Sequence, residues 1–340
     1  FFKHTLQFKQ ASGTSRGVLT LKDTWFIKLE NNTLKGIGEC GMFKGLSIDH
    51  RDDFELKLKW TCQNIDLGLE VLLGQLVSFP SIQFGLEMAF ASLNNKSPFE
   101  LFPSEFTKGK DSIPINGLIW MGESSFMKQQ IKDKLEGGFS CIKLKIGALN
   151  FERELALLKS IRNEYDMQTI EIRIDANGAF KPNEALEKLK QLSEYNLHSI
   201  EQPIKQGQID DMAQLCLDTP IPIALDEELI GIFSVTNKQF LLQTIKPQYI
   251  ILKPTLVGGF KGSQQWIDVA ESNKIGWWVT SALESNIGLN AIAQWTYTLN
   301  NTLPQGLGTG GLFTNNVQAP LVVRSGRLFY DLKTKWNLKF

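Results

Sequence analysis

Cys141-Ile142-Lys143-Leu144-Lys145-Ile146, Ile170-Glu171-Ile172-Arg173-Ile174-Asp175, Ser199-Ile200-Glu201-Gln202, Ile221-Pro222-Ile223-Ala224-Leu225-Asp226 and Tyr249-Ile250-Ile251-Leu252-Lys253 are five short runs of one kind. Each is rich in aliphatic and β-branched residues, and each carries a charged or amide residue at its C-terminal end. Such runs read as strands. Amphipathic stretches fill the gaps, with Phe151, Leu155, Leu158 and Ile161 at helical spacing in one and Leu186, Leu189 and Leu192 in another. Strands alternating with helices predict βα units around a parallel sheet covered on both faces.

The pattern extends outward from these five. Ile113–Trp120 precedes them, and Trp277–Thr280 and a weaker Gln305–Gly308 follow, so strands recur roughly every 25 to 30 residues. Eight is the number that closes a (β/α) barrel. An open doubly wound sheet is the alternative, but no Gly-rich phosphate loop follows an early strand. The fold expected is α/β, a modified (β/α)7β barrel over 111–314. Residues 1–110 read as an α+β unit, with strands at Val18–Leu21 and Thr24–Leu29, a Gly-rich stretch from Gly36 to Gly45, and helices at about Asp53–Leu76 and Ser81–Leu93. Residues 315–340 read as a strand-like tail returning to that first unit.

Among 340 residues, 42% are hydrophobic and 21% charged, which is material for a large core. Lys+Arg and Asp+Glu balance at 36 each, so no global field draws the chain to nucleic acid or an anionic membrane. No apolar run is long enough to span a bilayer. Cys40, Cys62, Cys141 and Cys216 lack CxxC spacing and are expected to be reduced thiols. Phe1-Phe2-Lys3-His4 lacks the layout of a secretory signal, and cytoplasm is the expected compartment.

In a barrel the C-terminal ends of the strands build the active site. Around the ring they supply Lys143 and Lys145, Asp175, Glu201, Asp226 and Lys253. Three carboxylates converging from adjacent strands repel one another, and a hard divalent cation relieves this. Lys143 and Lys145 alternate by two, so both face the same side of their strand. Two inward lysines have no structural use without carboxylate partners or a chemical task. Metal plus lysine is a means of removing a proton α to a carboxylate. One such residue at a strand end is commonly a cap or a solvated charge; five successive strand ends in this order are not.

These motifs resemble the enolase superfamily over nearly the whole chain. Lys143-Leu144-Lys145 is similar to the KxK of the muconate-lactonizing subgroup. Ile174-Asp175-Ala176-Asn177, Ile200-Glu201-Gln202-Pro203 and Leu225-Asp226-Glu227 resemble its three metal-ligand motifs, and Lys253-Pro254 with Gly258-Gly259 its strand-six lysine motif. The resemblance implies a capping domain over a modified barrel, with Gly13-Thr14-Ser15-Arg16 and Gly41 to Ser47 where closing loops fall. It implies one divalent ion, Mg²⁺ or alternatively Mn²⁺, on Asp175, Glu201 and Asp226. Lys145 and Lys253 become the acid/base pair, and Lys143 keeps Lys145 deprotonated. Asn177, Ser281 and Arg16 become supporting or substrate-binding residues. The segment Thr280-Ser281-Ala282-Leu283-Glu284-Ser285-Asn286-Ile287-Gly288 resembles the o-succinylbenzoate synthase branch, as does Gly308-Thr309-Gly310-Gly311, although some synthases carry Gly-Leu-Asp-Thr there. The Asp-x-Asp usual in dipeptide epimerases near strand eight is absent. The activity implied is dehydration of a small-molecule carboxylate, 2-succinyl-6-hydroxy-2,4-cyclohexadiene-1-carboxylate, to o-succinylbenzoate in menaquinone synthesis, by a chain that could form a homo-oligomer. N-succinylamino acid racemase, dipeptide epimerase and cycloisomerase are the alternatives on the same scaffold; a catalytically dead barrel or a Schiff-base aldolase is a more distant one.

Overall fold

The computed structural model describes residues 1–14, 17–31, 33–93, 95, 97–120, 122–147 and 150–338. The chain opens with three antiparallel strands, β1 (Phe2–Thr14), β2 (Gly17–Glu30) and β3 (Lys35–Cys40), in that order across the sheet. Val18–Leu21 and Thr24–Leu29 are one continuous strand, which buries Trp25, Phe26 and Ile27. Helices α1 (Phe54–Gln63), α2 (Leu69–Gln75) and α3 (Pro80–Leu93) follow. The single helix expected over Asp53–Leu76 is broken, because Gly68 takes a φ of 79° between α1 and α2. Helix α3 lies directly on β3. A Cβ on Gly36 or Gly38 would come 2.1 Å from Ala89 O or 1.8 Å from Gly85 O, so the glycines of that stretch exist to let helix and strand backbones touch.

The rest of the chain alternates strand and helix. It runs β4 (Ser112–Pro114), β5 (Gly117–Ile119), α4 (Ser124–Glu136), β6 (Cys141–Lys145), α5 (Phe151–Glu164), β7 (Glu171–Asp175), α6 (Pro182–Ser193), β8 (Ser199–Glu201), α7 (Ile209–Asp218) and β9 (Ile223–Leu225). Then come α8 (Val235–Ile245), β10 (Tyr249–Leu252), α9 (Pro254–Val257), α10 (Gly259–Ser272), β11 (Gly276–Val279), α11 (Asn286–Thr298), β12 (Leu321–Arg324) and β13 (Arg327–Tyr330).

Strands β5 to β11 form one parallel sheet in sequence order. It is curled: Gln305 bridges Ile115 beside one edge strand, and Gly306 bridges Thr280 beside the other. The Gln305–Gly308 run expected as an eighth strand makes only these isolated bridges. The expected strand Ile113–Trp120 is two elements. Pro114 cannot donate a ladder hydrogen bond, and β4 on its N-terminal side turns away to pair with β13 in a three-stranded sheet, β12–β13–β4. Farther along the tail, Trp336 stacks on Phe99 at 4.1 Å between ring centroids.

The main core lies on the face of the curled sheet opposite the inward lysines, with Ile142, Ile172, Ile174, Ile200, Leu225 and Ile250 among its fully buried members, while Ala224, Ile251 and Trp278 form a separate small cluster on the inner face. Two carboxylates of the N-terminal unit are seated on helix N-termini of the sheet unit. Glu39 of β3 accepts from Ser285 N at 2.8 Å, Ser285 Oγ at 2.5 Å and Gly288 N at 2.9 Å at the start of α11. Glu87 of α3 accepts from Phe260 N and from Lys261 N, the latter at 3.0 Å, at the start of α10. A carboxyl oxygen there accepts from N–H groups left unpaired by the first turn of the helix. Cys40, Cys141 and Cys216 are buried free thiols, and Cys62 is a half-buried one. Among the described residues no helix is long and apolar enough to cross a membrane.

Candidate active site

Parallel register assembles the site. Lys145 and Asp175 are Cα partners across β6 and β7, and Asp175 and Glu201 across β7 and β8. Because side chains alternate along a strand, Lys143 shares the face of Lys145, and their register partners Arg173 and Asp175, with Glu171, present that same face on β7. The layer beneath the site is polar, and most of it is hydrogen-bonded, although Arg173 Nη2 has no partner among the described residues. The Arg173 guanidinium lies 4.3 Å over the Trp278 ring and donates to Glu171 Oε1 at 2.7 Å and Pro304 O at 2.9 Å.

Above that layer the predicted residues meet. Lys143 Nζ lies 3.0 Å from Asp175 Oδ2 and also pairs with Glu201. Lys145 Nζ donates to Asp175 Oδ2 at 3.0 Å and Asn177 Oδ1 at 2.6 Å. Lys253 pairs with Asp226. Asn177, at a φ of 45°, also donates from Nδ2 to Glu227 Oε1 at 3.1 Å. Gln202, whose role the sequence reading missed, has a φ of 39°; its Oε1 accepts from Asp226 N at 3.2 Å and Glu228 N at 3.3 Å, fixing the turn that carries Asp226.

The carboxylates are almost wholly buried, with Asp175 1% exposed and Glu201 and Asp226 2% each. Burial and the neighbouring Asp175 hold the Glu201 carboxyl well above the ordinary carboxylate range. Burial opposes ionisation of Asp175 too, yet Lys143, Lys145 and Lys253 hold it far below that range. Lys143 is raised despite its burial, because Asp175 and Glu201 face it, and it remains a cation. Lys253 is raised likewise, chiefly by Asp226 against the effect of burial.

These residues fit a divalent cation. Among the described residues no donor reaches Glu201 Oε1, a buried carboxyl oxygen in a site already holding two more carboxylates. An unpaired oxygen of this kind is costly, and a hard cation with oxygen ligands satisfies it. As they stand, no three His, Cys, Asp or Glu side chains among the described residues are arranged around one point for an ion. The lysine ammonium groups engage Asp175, Glu201 and Asp226 instead.

A cavity of about 300 Å³ opens beside the lysines. Lys143, Lys145, Asp175, Asn177, Lys253 and Ser281 all line it, and Phe43 and Leu46 of the N-terminal unit close one side. Ser281 was expected to support substrate, but its hydroxyl is fully used. It donates to Glu284 Oε2 at 2.7 Å and accepts from Thr309 Oγ1 at 2.9 Å and Leu283 N at 3.0 Å. The Gly-Thr of the final loop is thus part of the wall, and Glu284 is the residue behind it. Arg16 lies outside the described residues.

Residues 127–331 match the family model described as enolase C-terminal domain-like. The chain belongs to the enolase superfamily. Within the superfamily, o-succinylbenzoate synthase of Desulfotalea psychrophila is 46% identical, covering 95% of this chain and 96% of that protein. The crystal structure of MenC from Desulfotalea psychrophila superposes with a TM-score of 0.87 at 43% identity, over 96% of this chain and 98% of that one. A dipeptide epimerase of Enterococcus faecalis, solved with Mg and the dipeptide L-Leu-L-Tyr, superposes with a TM-score of 0.83 over 96% and 95% of the two chains. At 18% identity the epimerase shares the superfamily fold. The motif resemblance to the muconate-lactonizing subgroup, and within it to the synthases, agrees with these likenesses.

Proposed function

We propose that this superfamily member is an o-succinylbenzoate synthase, dehydrating 2-succinyl-6-hydroxy-2,4-cyclohexadiene-1-carboxylate to o-succinylbenzoate. The observation that carries the reading is 46% identity to a protein of that name over 95% of the chain. The site chemistry supports it. In this reading the curled sheet is a (β/α)7β barrel, residues 1–110 cap it, and Phe43 and Leu46 are the part of the cap that meets substrate.

Asp175, Glu201 and Asp226 hold one Mg²⁺. When bound, the ion supplies positive charge for the ring carboxylate as the α-carbon is deprotonated. Lys145 takes the α-proton into its amine. The hydroxyl leaves from the same face, its C–O bond breaking as Lys145 returns the proton to it, so that water is the by-product. Lys253 stays an ammonium on the opposite flank, held by Asp226, and stabilises the negative charge that develops between the two steps. Lys143 remains a cation between Asp175 and Glu201 and orients both. Asn177 fixes Lys145 through its Oδ1. Aromatisation of the ring makes the reaction downhill.

Two lysines on opposite flanks also suit a two-base racemase, so N-succinylamino acids are the second substrate class. A purified-protein assay decides. Formation of o-succinylbenzoate from the cyclohexadiene, at a kcat/KM well above that for racemisation of N-succinylamino acids or epimerisation of dipeptides, is the expected result. Racemisation without dehydration overturns the proposal.

A further inference from the structure

The cavity does not end at the catalytic residues. It continues past Leu118 and Gly306 to Phe139, the residue two before β6, and to Lys134, near the C-terminal end of α4. It therefore runs from the C-terminal end of the sheet toward the N-terminal end, along the seam where β5 faces Gly306 and Gly308 with no ladder between them.

Four lysines line this space. Lys143, Lys145 and Lys253 are each engaged by Asp175, Glu201 or Asp226. Lys134 differs. Among the described residues no carboxylate pairs with it, and the one acid acting on it is its chain neighbour Asp133, whose Oδ1 accepts from Gln129 on the outer face of α4. Its stem lies so close to β5 that a Cβ on Gly117 would come 3.0 Å from its Cγ and Cδ, and its ammonium sits 5.0 Å over the Phe139 ring. Burial lowers its pKa from the ordinary lysine value despite the nearby Asp133, the sign of a cation partly stripped of water without a carboxylate paired to it. A half-buried, oriented cation with no carboxylate paired to it, at the apolar end of a cavity, is suited to a ligand carboxylate.

We infer that Lys134 receives the second carboxylate of the substrate, at the end of the succinyl chain, while the ring carboxylate sits among Lys145, Lys253 and the metal ligands. This rests on the synthase reading, and it assigns recognition of the dicarboxylate to a residue outside the catalytic motifs. The span is compatible. Gly117, against which Lys134 lies, pairs with Ile142, three residues below Lys145. That is roughly 10 Å along a strand, a length that the succinyl tail and the lysine stem cover together. Phe139 and Leu118 pack on the methylenes of the tail.

The test compares the product o-succinylbenzoate with 2-butanoylbenzoate, in which a methyl group replaces the tail carboxylate, on the Mg²⁺-loaded full chain. Wild type should bind the dicarboxylate at least about tenfold tighter, the scale of one charge-assisted hydrogen bond. Lys134→Met, which keeps the stem, should bring the two affinities within about twofold of each other and raise KM for the cyclohexadiene about tenfold, with a smaller fall in kcat. Lys134→Arg should restore most of the preference. An undiminished preference in Lys134→Met, or equal affinities in wild type, overturns the inference. Wild type that does not dehydrate the cyclohexadiene overturns the synthase reading instead, so the two failures are distinguishable.

Discussion

Glu201 and Lys145 carry opposite tensions at the residue scale. Glu201 is a buried carboxylate whose neighbour Asp175 disfavours its charge, and no donor among the described residues reaches its Oε1. Glu201→Gln should therefore weaken Mg²⁺ binding by at least about tenfold in calorimetric titration, while the metal-free protein melts no lower than wild type. A metal-free Tm that fell sharply would mean that the charge on Glu201 stabilises the fold by itself. Lys145→Ala should lower kcat by at least about 10²-fold, the usual scale for loss of a general base, with an unchanged circular dichroism spectrum. Near-normal turnover would remove Lys145 from the base role. Much of this was legible in the sequence, because alternation along a strand fixes which side of the sheet Lys143, Lys145, Arg173 and Asp175 share. The saturation of Ser281 was not. Its partners include Thr309, 28 residues away, and that proximity is created only when the sheet curls.

At the scale of elements, the join between the two units rests on carboxylates that cap helices of the other unit. Burial raises Glu87 from 4.5 to about 7, against the pull of the Phe260 and Lys261 N–H groups. The folded chain thus favours protonated Glu87. Its contribution is fully present below about 4.5 and is lost as pH rises through about 7. Glu87→Gln should flatten the dependence of Tm on pH across that window, where wild type loses up to roughly 3 kcal/mol through this group. Parallel pH profiles for the two proteins would contradict the assignment. Strand and helix periodicity was readable for most of the βα units, since each buries a face of its own. Two breaks were not read. Gly68 divides α1 from α2, and Pro114 divides β4 from β5, each inside an otherwise periodic run. The caps at α10 and α11 had no local signal either, because Glu87 lies 173 residues from Phe260 and Glu39 lies 246 residues from Ser285.

For the whole molecule, the two units share one cavity, with Lys143, Lys145 and Lys253 on the curled sheet and Phe43 and Leu46 on the N-terminal unit. The change from an irregular α+β pattern to regular βα units was visible in the sequence, and the order of charged strand ends pointed to the superfamily. The seam leading to Lys134 was not visible, because it depends on the incomplete pairing of Gln305–Gly308. Metal should stabilise the molecule as a unit. Saturating Mg²⁺, at about 100 times its dissociation constant, adds about 2.7 kcal/mol to the folded state. Exhaustive EDTA treatment should lower Tm and abolish dehydration, and Mg²⁺ should restore both.

The claim beneath all of this is that Asp175, Glu201 and Asp226 hold one divalent ion between Lys145 and Lys253. Anomalous diffraction from crystals grown with Mn²⁺ tests it most directly. A single strong peak, at roughly 2.0 to 2.3 Å from an oxygen of each of the three carboxylates, is the predicted result, with both lysine nitrogens displaced to its flanks. A map with no peak there, or a peak touching only one of the three, would contradict the account.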